Sequence, residues 1–490
     1  MASTLPSYDS QEMAPPRVSA QDREASTAYA LRREEATTLA LTTDELDAAR
    51  TAMAAVMAEP LFETLGPGEK RYLASSAAWV EVRAGRYEAA AGFYRDAVRM
   101  DPGDPDDWHR LSMVEDILGH HDASIDALLR ILESWPELYN GMSAGHVLAL
   151  VRHLPRESDK RLELMLTLFE SNWKPGEEAA STLWYELALT LVEREERERA
   201  QHVVDNVFWP DPLIRMQADR RFDGLLATDP TLVGDRLDVL VEGLASMAAD
   251  NPRNLYTEHE RMDAMLAAGR STEVVAIAED IVARIDGEDP RRPVYHDGDD
   301  LNATLAILST ALRREGRLDE AEAALRRASG LPEAGEPNIT QRLSLASWYN
   351  ARMRPAEAIA MADGLGVMAE APDKAWRDAV LLHAAIIEGR SDDAMRLLDR
   401  LRAVADGNEA LLMRALLRIG DVDEAAALYV RRLQDPRLRG DALLLAQRSL
   451  EPTPLPGELE TEQRMDAMLA RPDVLAAIDA VGRVQDYPVW

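Results

Sequence analysis

Histidines are the side chains of this 490-residue sequence best suited to acid–base chemistry or metal binding, and there are nine of them. His120 and His121 are adjacent, so they project to different sides of a helix or turn and would not easily chelate one ion together. His259 precedes Glu260 but lacks the second histidine of a zinc-protease helix. The histidine spacing therefore predicts no metal site.

Other catalytic patterns are equally weak. The chain has no cysteine, which removes disulfides, zinc–cysteine sites, iron–sulfur clusters and thiol catalysis. Gly364 and Gly366 imitate a dinucleotide-binding loop, but they follow a predicted helix, whereas a phosphate cradle needs a strand, a tight turn and a helix start. There is no Gly-Lys-Ser/Thr phosphate loop and no nucleophile elbow around a serine. We expect no cofactor and no enzymatic activity of the chain itself.

Residues 286–300 form an acidic stretch that could gather oxygen ligands for Ca²⁺. The carboxylates of this stretch are Asp286, Glu288, Asp289, Asp297, Asp299 and Asp300. The EF-hand spacing fails because Pro290 stands where a ligand is required and no glutamate closes the loop. We expect a solvated loop without ordered Ca²⁺ or Zn²⁺, in which Asp300 caps the next helix; contact with a partner is the alternative.

The overall negative charge of the chain disfavours nucleic acids as partners. Lys plus Arg number 55 and Asp plus Glu number 87, so the formal net charge is −32. A chain this acidic repels phosphate backbones, and we expect no nucleic-acid partner.

Uninterrupted apolar runs fall far short of the ~18–20 residues of a membrane span, so no direct membrane insertion is expected. Residues 1–16 show no signal-peptide pattern, which makes the cytoplasm the default compartment, and the periplasm if the chain is a mature form.

The elements that must position any site are helices. Apolar residues recur at spacings of three and four residues, as on one face of an α-helix. Segments of roughly 11–15 residues alternate with short turns, which is typical of antiparallel helix pairs. Gly85 and Gly119 are 34 residues apart, as are Pro102 and Pro136. Further glycines open similar copies at Gly269, Gly316, Gly389 and Gly420, and Met353 holds the equivalent position in one copy. Each such residue is predicted to end a first helix with a left-handed backbone or a close helix approach.

This pattern resembles the tetratricopeptide repeat (TPR) family, whose unit is two antiparallel helices in about 34 residues. The residues that match its Trp–Leu–Gly–Ala–Phe–Pro framework, with Ser and Leu as replacements, are Trp108, Leu111, Gly119, Ser124, Leu128 and Pro136. A second match begins at Trp184. The resemblance implies an all-α, right-handed α-solenoid of about ten antiparallel helix pairs with capping helices. Framework aromatic residues are then predicted to be core: Tyr94, Trp108, Trp184 and Tyr429.

The organisation along the chain follows from the copies. The predicted segments are a flexible tail (1–20), amino-terminal capping helices (21–70), TPR-like repeats (71–250), further repeats with the 286–300 insertion (251–437), and carboxy-terminal capping helices with an aromatic tail (438–490). The copies within 139–172 and 213–250 are degenerate.

The inner face of such a solenoid is lined by the first helix of each pair, and the resemblance makes it the candidate binding groove. The predicted partner-binding residues are Tyr72, Trp79, Arg83, His109, Arg313, Arg314, Asn350, His383, Arg414 and Arg418. Arginines there suit a carboxylate-bearing segment because the guanidinium binds a carboxylate in two places. Pairing with neighbouring glutamates is the competing interpretation.

These observations predict a non-enzymatic scaffold or adaptor that holds a segment of a partner protein in its groove, as a possible component of a larger assembly. Two alternatives stay open. One is a periplasmic solenoid subunit of an envelope or polysaccharide export assembly, a role some family members have. The other is an accessory subunit of an enzyme complex.

Overall fold

The structure is a computed structural model that describes residues 20–289, 291–296, 300–332, 338–365 and 371–490. The predicted tail up to residue 19 lies outside the described residues, as do Asp297 and Asp299 of the acidic insertion and Gly366 of the glycine pair. Within the described part of the chain, no helix is long and apolar enough to cross a membrane.

The described chain is all-α, as predicted, and contains no β-strand in those residues, only isolated bridges. Its α-helices are α1 (Ala20–Thr42), α2 (Leu46–Ala58), α3 (Pro67–Arg83), α4 (Tyr87–Met100), α5 (Pro105–Ile117), α6 (His121–Ser134), α7 (Ala144–His153), α8 (Asp159–Glu170), α9 (Glu177–Glu193), α10 (Arg197–Val204), α11 (Pro210–Ala218), α12 (Thr231–Asp250), α13 (Leu255–Ala267), α14 (Ser271–Asp286), α15 (Leu301–Arg314), α16 (Leu318–Ala328), α17 (Ile339–Ala351), α18 (Pro355–Asp363), α19 (Ala371–Ile387), α20 (Ser391–Ala403), α21 (Glu409–Ile419), α22 (Val422–Gln434), α23 (Arg439–Leu445), α24 (Leu459–Leu469) and α25 (Pro472–Val481). Short 3₁₀ helices lie at Pro60–Thr64, Pro136–Gly141 and Arg220–Phe222.

The chain divides into two compact units, Met1–Trp173 and Lys174–Trp490. In each unit consecutive helices pack in pairs, such as α3 with α4 and α5 with α6 in the first unit and α15 with α16 and α19 with α20 in the second. This is the helical-repeat solenoid expected from the sequence. The predicted boundary between residues 250 and 251 falls inside the second unit.

The turn between paired helices is the same structure in copy after copy. All six repeat glycines have positive φ: Gly85, Gly119, Gly269, Gly316, Gly389 and Gly420. At Gly119 φ is +77°, and the amide of the next residue, His120, donates to the carbonyl of Glu115 at 2.8 Å, which closes the helix end as a Schellman motif does. The prediction that these glycines end first helices in a left-handed backbone is confirmed.

Two copies make this turn without glycine. Glu195 and Met353 have φ of +63° and +57°, and the same type of amide-to-carbonyl bond follows each, from Glu196 to Leu191 and from Arg354 to Tyr349. A side chain in this backbone region costs roughly 1–2 kcal/mol. The surrounding helix pair therefore maintains the turn even where the residue type opposes it.

Small and aromatic residues of the repeats fill the space between helices. Ala90, Ala321 and Ala425 are fully buried, which permits close approach of paired helices. Tyr94, Trp184 and Tyr429 are buried as predicted. Trp108 differs: it packs beside the core formed by Tyr94 and Leu111 but is only partly buried, and its indole N–H donates to the carbonyl of Pro102 at 3.1 Å.

The carboxy-terminal segment 450–490 returns along the second unit. The amide of Gly457 donates to the carbonyl of Ala351 at 2.8 Å, and the amide of Trp490 donates to that of Ala267 at 2.9 Å. α24 packs on α21 and α22, and α25 packs on α22. The segment thus forms part of the wall of the second unit, and its helices cover the pair α21 and α22.

Candidate functional site

A cleft of about 700 Å³ lies in the second unit between the first helices of several pairs and the returning carboxy-terminal segment. α15, α17, α19 and α21 supply one wall, and residues between Glu451 and Glu462 supply the other. Five predicted groove residues line it: Arg313, Arg314, His383, Arg414 and Arg418.

The segment binds two of these arginines through carboxylates. Arg313 Nη2 lies 2.7 Å from Glu458 Oε2, and Arg414 is paired with Glu462. Glu458 Oε2 also accepts a hydrogen bond from the amide of Leu455 at 2.8 Å, which fixes the carboxylate towards the arginine. Internal glutamates therefore neutralise two of these arginines, as the competing interpretation of the sequence expected, but these glutamates belong to the carboxy-terminal segment, which is distant from Arg313 in the sequence.

His383 is held neutral in the wall. Burial, together with the positive charges of Arg418 and Arg414, lowers its pKa from the usual value to about 3. Its Nε2–H donates to the carbonyl of Gly457 at 3.0 Å, so it orients the segment and carries no charge.

Arg418 retains binding capacity. Burial, then the nearby guanidinium of Arg414, lowers the pKa of Arg418 to about 10, so it remains cationic at neutral pH. Its Nε has no hydrogen-bond partner among the described residues, although Glu458 and Glu462 attract it from a distance. Nε itself is buried, so an incoming carboxylate would be attracted by the cationic guanidinium where Arg418 lines the cleft.

Two predicted groove residues form structural contacts within the second unit. Asn350 was expected to face the groove, but it is fully buried and its Nδ2 donates to the carbonyl of Val380 at 2.8 Å, which ties α17 to α19. Arg314 donates to the carbonyl of Leu266 and lies 4.8 Å from the ring centroid of Trp490, so it anchors the chain end as well as lining the cleft.

None of the four predicted residues of the first unit lines this cleft. Tyr72 and Trp79 are exposed. Arg83 pairs with Asp44 at 3.1 Å, and the ring of His109 lies edge-on to that of His146 at 6.4 Å between centroids.

The segment that completes the cleft was missed by sequence reasoning, which assigned it to a cap. The sequence does contain a feature that indicates such a segment. Extended chain is predicted by three alternating prolines, Pro452, Pro454 and Pro456, and two glutamates follow, Glu458 and Glu462. Only the fold brings those glutamates to the arginines, since Arg313 and Glu458 are 145 positions apart.

No family model matches the chain, and no curated protein matches it. Among solved structures, the chain is similar to one from the Naa15/Naa10 complex bound to HypK-THB, at 12% identity and a TM-score of 0.30, covering 83% of this chain and 63% of that one. It is also similar to a tetratricopeptide repeat protein from Parabacteroides merdae, at 12% identity and a TM-score of 0.31, covering 63% of this chain and 94% of that one. Similarity at this level carries no information about function.

Proposed function

We propose that the chain is a non-catalytic scaffold of the TPR type that holds a short acidic segment of a partner protein in the cleft of the second unit. One observation carries the proposal. The chain's own proline-containing 451–462 stretch lies along one side of the cleft, and its carboxylates at Glu458 and Glu462 bind Arg313 and Arg414. These intramolecular pairs support an acidic segment as the ligand, and the remaining volume of the cleft would hold a second one.

The chemistry of the remaining lining supports the same ligand class. Arg418 offers a cationic guanidinium, and Gln341, Ser344 and Ser347 offer neutral hydrogen-bonding groups along α17. The net charge of −32 repels long polyanions, while a short segment pays that repulsion only at long range and gains charge-assisted hydrogen bonds once docked.

Site-specific photo-crosslinking tests the proposal. A photo-reactive residue at Ser347, inside the cleft, is compared with one at Met395, an exposed position on α20 that is not part of the cleft. In the source cell, Ser347 should crosslink a protein that Met395 does not, and mass spectrometry should place the crosslink beside acidic residues. Identical crosslinking patterns from the two positions would contradict the proposal.

A charge variant then tests the chemistry. Arg418→Gln should weaken capture of the crosslinked partner at least tenfold, which corresponds to about 1.4 kcal/mol. Arg418 is preferred to Arg314 because replacing Arg314 would also release Trp490. Arg396→Gln, on the second helix α20 outside the cleft, is the matched control and should leave capture unchanged. Equal capture by wild type and Arg418→Gln would direct attention to Tyr72 and Trp79 in the first unit.

A further inference from the structure

Five of the nine histidines lie between residues 109 and 153, and three of them surround one carboxylate in the first unit. His121 Nδ1 lies 2.8 Å from Asp116 Oδ1, and His153 Nδ1 lies 3.3 Å from the same oxygen. His146 Nδ1 lies 3.5 Å from the other oxygen, Asp116 Oδ2. The donor atoms of Asp116, His121 and His153 all lie within 4.8 Å of one another.

Three separate helices bring these groups together. Asp116 lies in the last turn of α5, and His121 is the first residue of α6, just after the left-handed turn at Gly119. His146 and His153 are seven residues apart on α7, a spacing that places them on the same face. No local sequence pattern links the three helices, which is why histidine spacing predicted no site.

The spacing suits a transition-metal ion. Ligand atoms bound to Zn²⁺ at ~2.0–2.1 Å in a tetrahedron lie about 3.3 Å from one another. The three nitrogen-to-oxygen distances span that value. Imidazole nitrogens with one carboxylate are ligands for Zn²⁺ and its neighbours Co²⁺ and Ni²⁺, not for Ca²⁺ or Mg²⁺.

Charge balance distinguishes Asp116 from its neighbour Glu115. Glu115 receives two hydrogen bonds from Arg95, at 2.7 and 2.8 Å, in addition to His120. Asp116 is mostly buried and forms no ion pair with a lysine or arginine in the described part of the chain; the imidazoles of His121, His146 and His153 lie around its carboxylate instead. Buried carboxylates are usually paired with a cation or coordinate a metal ion, and an ion bound between Asp116 and the imidazoles would supply that positive charge here.

The surroundings also orient and expose the ligands. Ser112 Oγ lies 2.9 Å from His146 Nε2, and this bond directs Nδ1 of the same ring towards Asp116, as outer-shell partners of metal-bound histidines do. The His153 side chain is 50% exposed, which leaves an entry path from solvent. The rings of His121 and His153 lie 4.9 Å apart between centroids.

We infer that Asp116, His121 and His153, with His146 beside them, bind one divalent transition-metal ion of the Zn²⁺ class. This site is independent of the cleft in the second unit and revises the expectation of no metal that histidine spacing suggested.

Calorimetric titration of the full chain without a histidine tag tests the inference, with Zn²⁺ as the probe. We expect one ion per chain with micromolar or tighter affinity, and Co²⁺ in its place should give the visible absorption bands of a tetrahedral site. His153→Asn should weaken Zn²⁺ binding at least tenfold. Because His153 is half-exposed, this variant should retain the fold, which circular dichroism checks.

His120→Asn is the matched control. It removes the adjacent histidine, whose Nδ1 faces Glu115 and not Asp116, so Zn²⁺ affinity should not change. Asp116→Asn should weaken binding at least as much as His153→Asn. Failure to bind Zn²⁺ with micromolar affinity, or equal affinity in wild type and His153→Asn, would overturn the inference.

Discussion

The two units differ in which groups neutralise their clustered charged side chains. In the second unit, carboxylates from the chain's own carboxy-terminal segment bind Arg313 and Arg414. In the first unit, three imidazoles surround Asp116 and no lysine or arginine pairs with it among the described residues. The cleft is therefore partly satisfied from within, whereas the histidine cluster is left to an external cation. The helix-pair repeat alone therefore does not determine whether a cluster of charged side chains is neutralised within the chain or by a bound ligand.

The largest effect is expected where the segment meets the second unit. A Cβ atom at Gly457 would lie 2.2 Å from the carbonyl oxygen of Asn350 and 3.1 Å from Cα of Ala351, both backbone atoms that cannot move aside. Gly457→Val should therefore destabilise the second unit by about 2 kcal/mol or more. Urea unfolding gives the magnitude, and hydrogen exchange should show faster exchange in residues 452–490.

Gly92→Ala is the control, since Gly92 is in a helix of the first unit and a Cβ there meets nothing within 4 Å. It should be neutral or slightly stabilising. If Gly457→Val left hydrogen exchange of the segment unchanged, the tight contact between the segment and α17 would be contradicted.

A smaller effect is expected at the turn that positions the histidine cluster. A Cβ at Gly119 meets nothing within 4 Å, so only the backbone conformation opposes a side chain. Gly119→Val should cost about 1–2 kcal/mol, because φ is positive there. Gly119→Asn should cost less, since asparagine tolerates this region. Thermal and urea unfolding measure both; equal stability of the two variants would argue against the left-handed turn.

Much of the fold could be predicted because each helix pair depends on local signals. The glycine turns and the buried framework residues Tyr94, Trp184 and Tyr429 follow from spacing within about 34 residues. Five of the predicted groove residues, four arginines and one histidine, line the cleft, while their role in binding a partner stays a prediction. The contribution of Glu458 and the convergence of His121 with His153 could not, because both depend on contacts between distant elements.

The next effect is pH-dependent and concerns an acidic cluster in the second unit. Burial raises the pKa of Glu260 to about 7, and burial with the charges of Glu178 and Glu260 raises that of Asp263 to about 7. In the unfolded chain these carboxyls titrate near their usual 4.5 and 3.8. Between pH 5 and 7 the native state therefore binds more protons than the unfolded state, and their contribution to stability falls as pH rises.

Glu260→Gln should consequently stabilise the second unit by about 1 kcal/mol at pH 8 and by much less at pH 5. The glutamine oxygen can still accept the 2.7 Å hydrogen bond from the amide of Glu177. Urea unfolding at the two pH values measures the difference. The pH dependence of wild-type stability alone would not isolate Glu260. The lowered pKa of His383 makes its contribution to stability rise with pH, opposite to that of Glu260, so the variant is needed for comparison. An equal gain at both pH values would show that Glu260 does not titrate near 7.

The smallest effect concerns the turns that the second unit makes without glycine. Met353 has φ of +57°, its side chain is half exposed, and the following amide of Arg354 donates to the carbonyl of Tyr349 at 2.8 Å, just as at Gly119. Met353→Gly removes the Cβ clash that costs roughly 1–2 kcal/mol but adds backbone entropy to the unfolded chain, worth roughly 0.5–1 kcal/mol. The net expectation is a gain of about 0.5–1 kcal/mol, the reverse sign of Gly119→Val. Urea unfolding of Met353→Gly beside Met353→Ala separates the backbone term from loss of the exposed side chain. If both variants were destabilising, contacts of the methionine side chain would outweigh the backbone strain, and the expected gain would be contradicted.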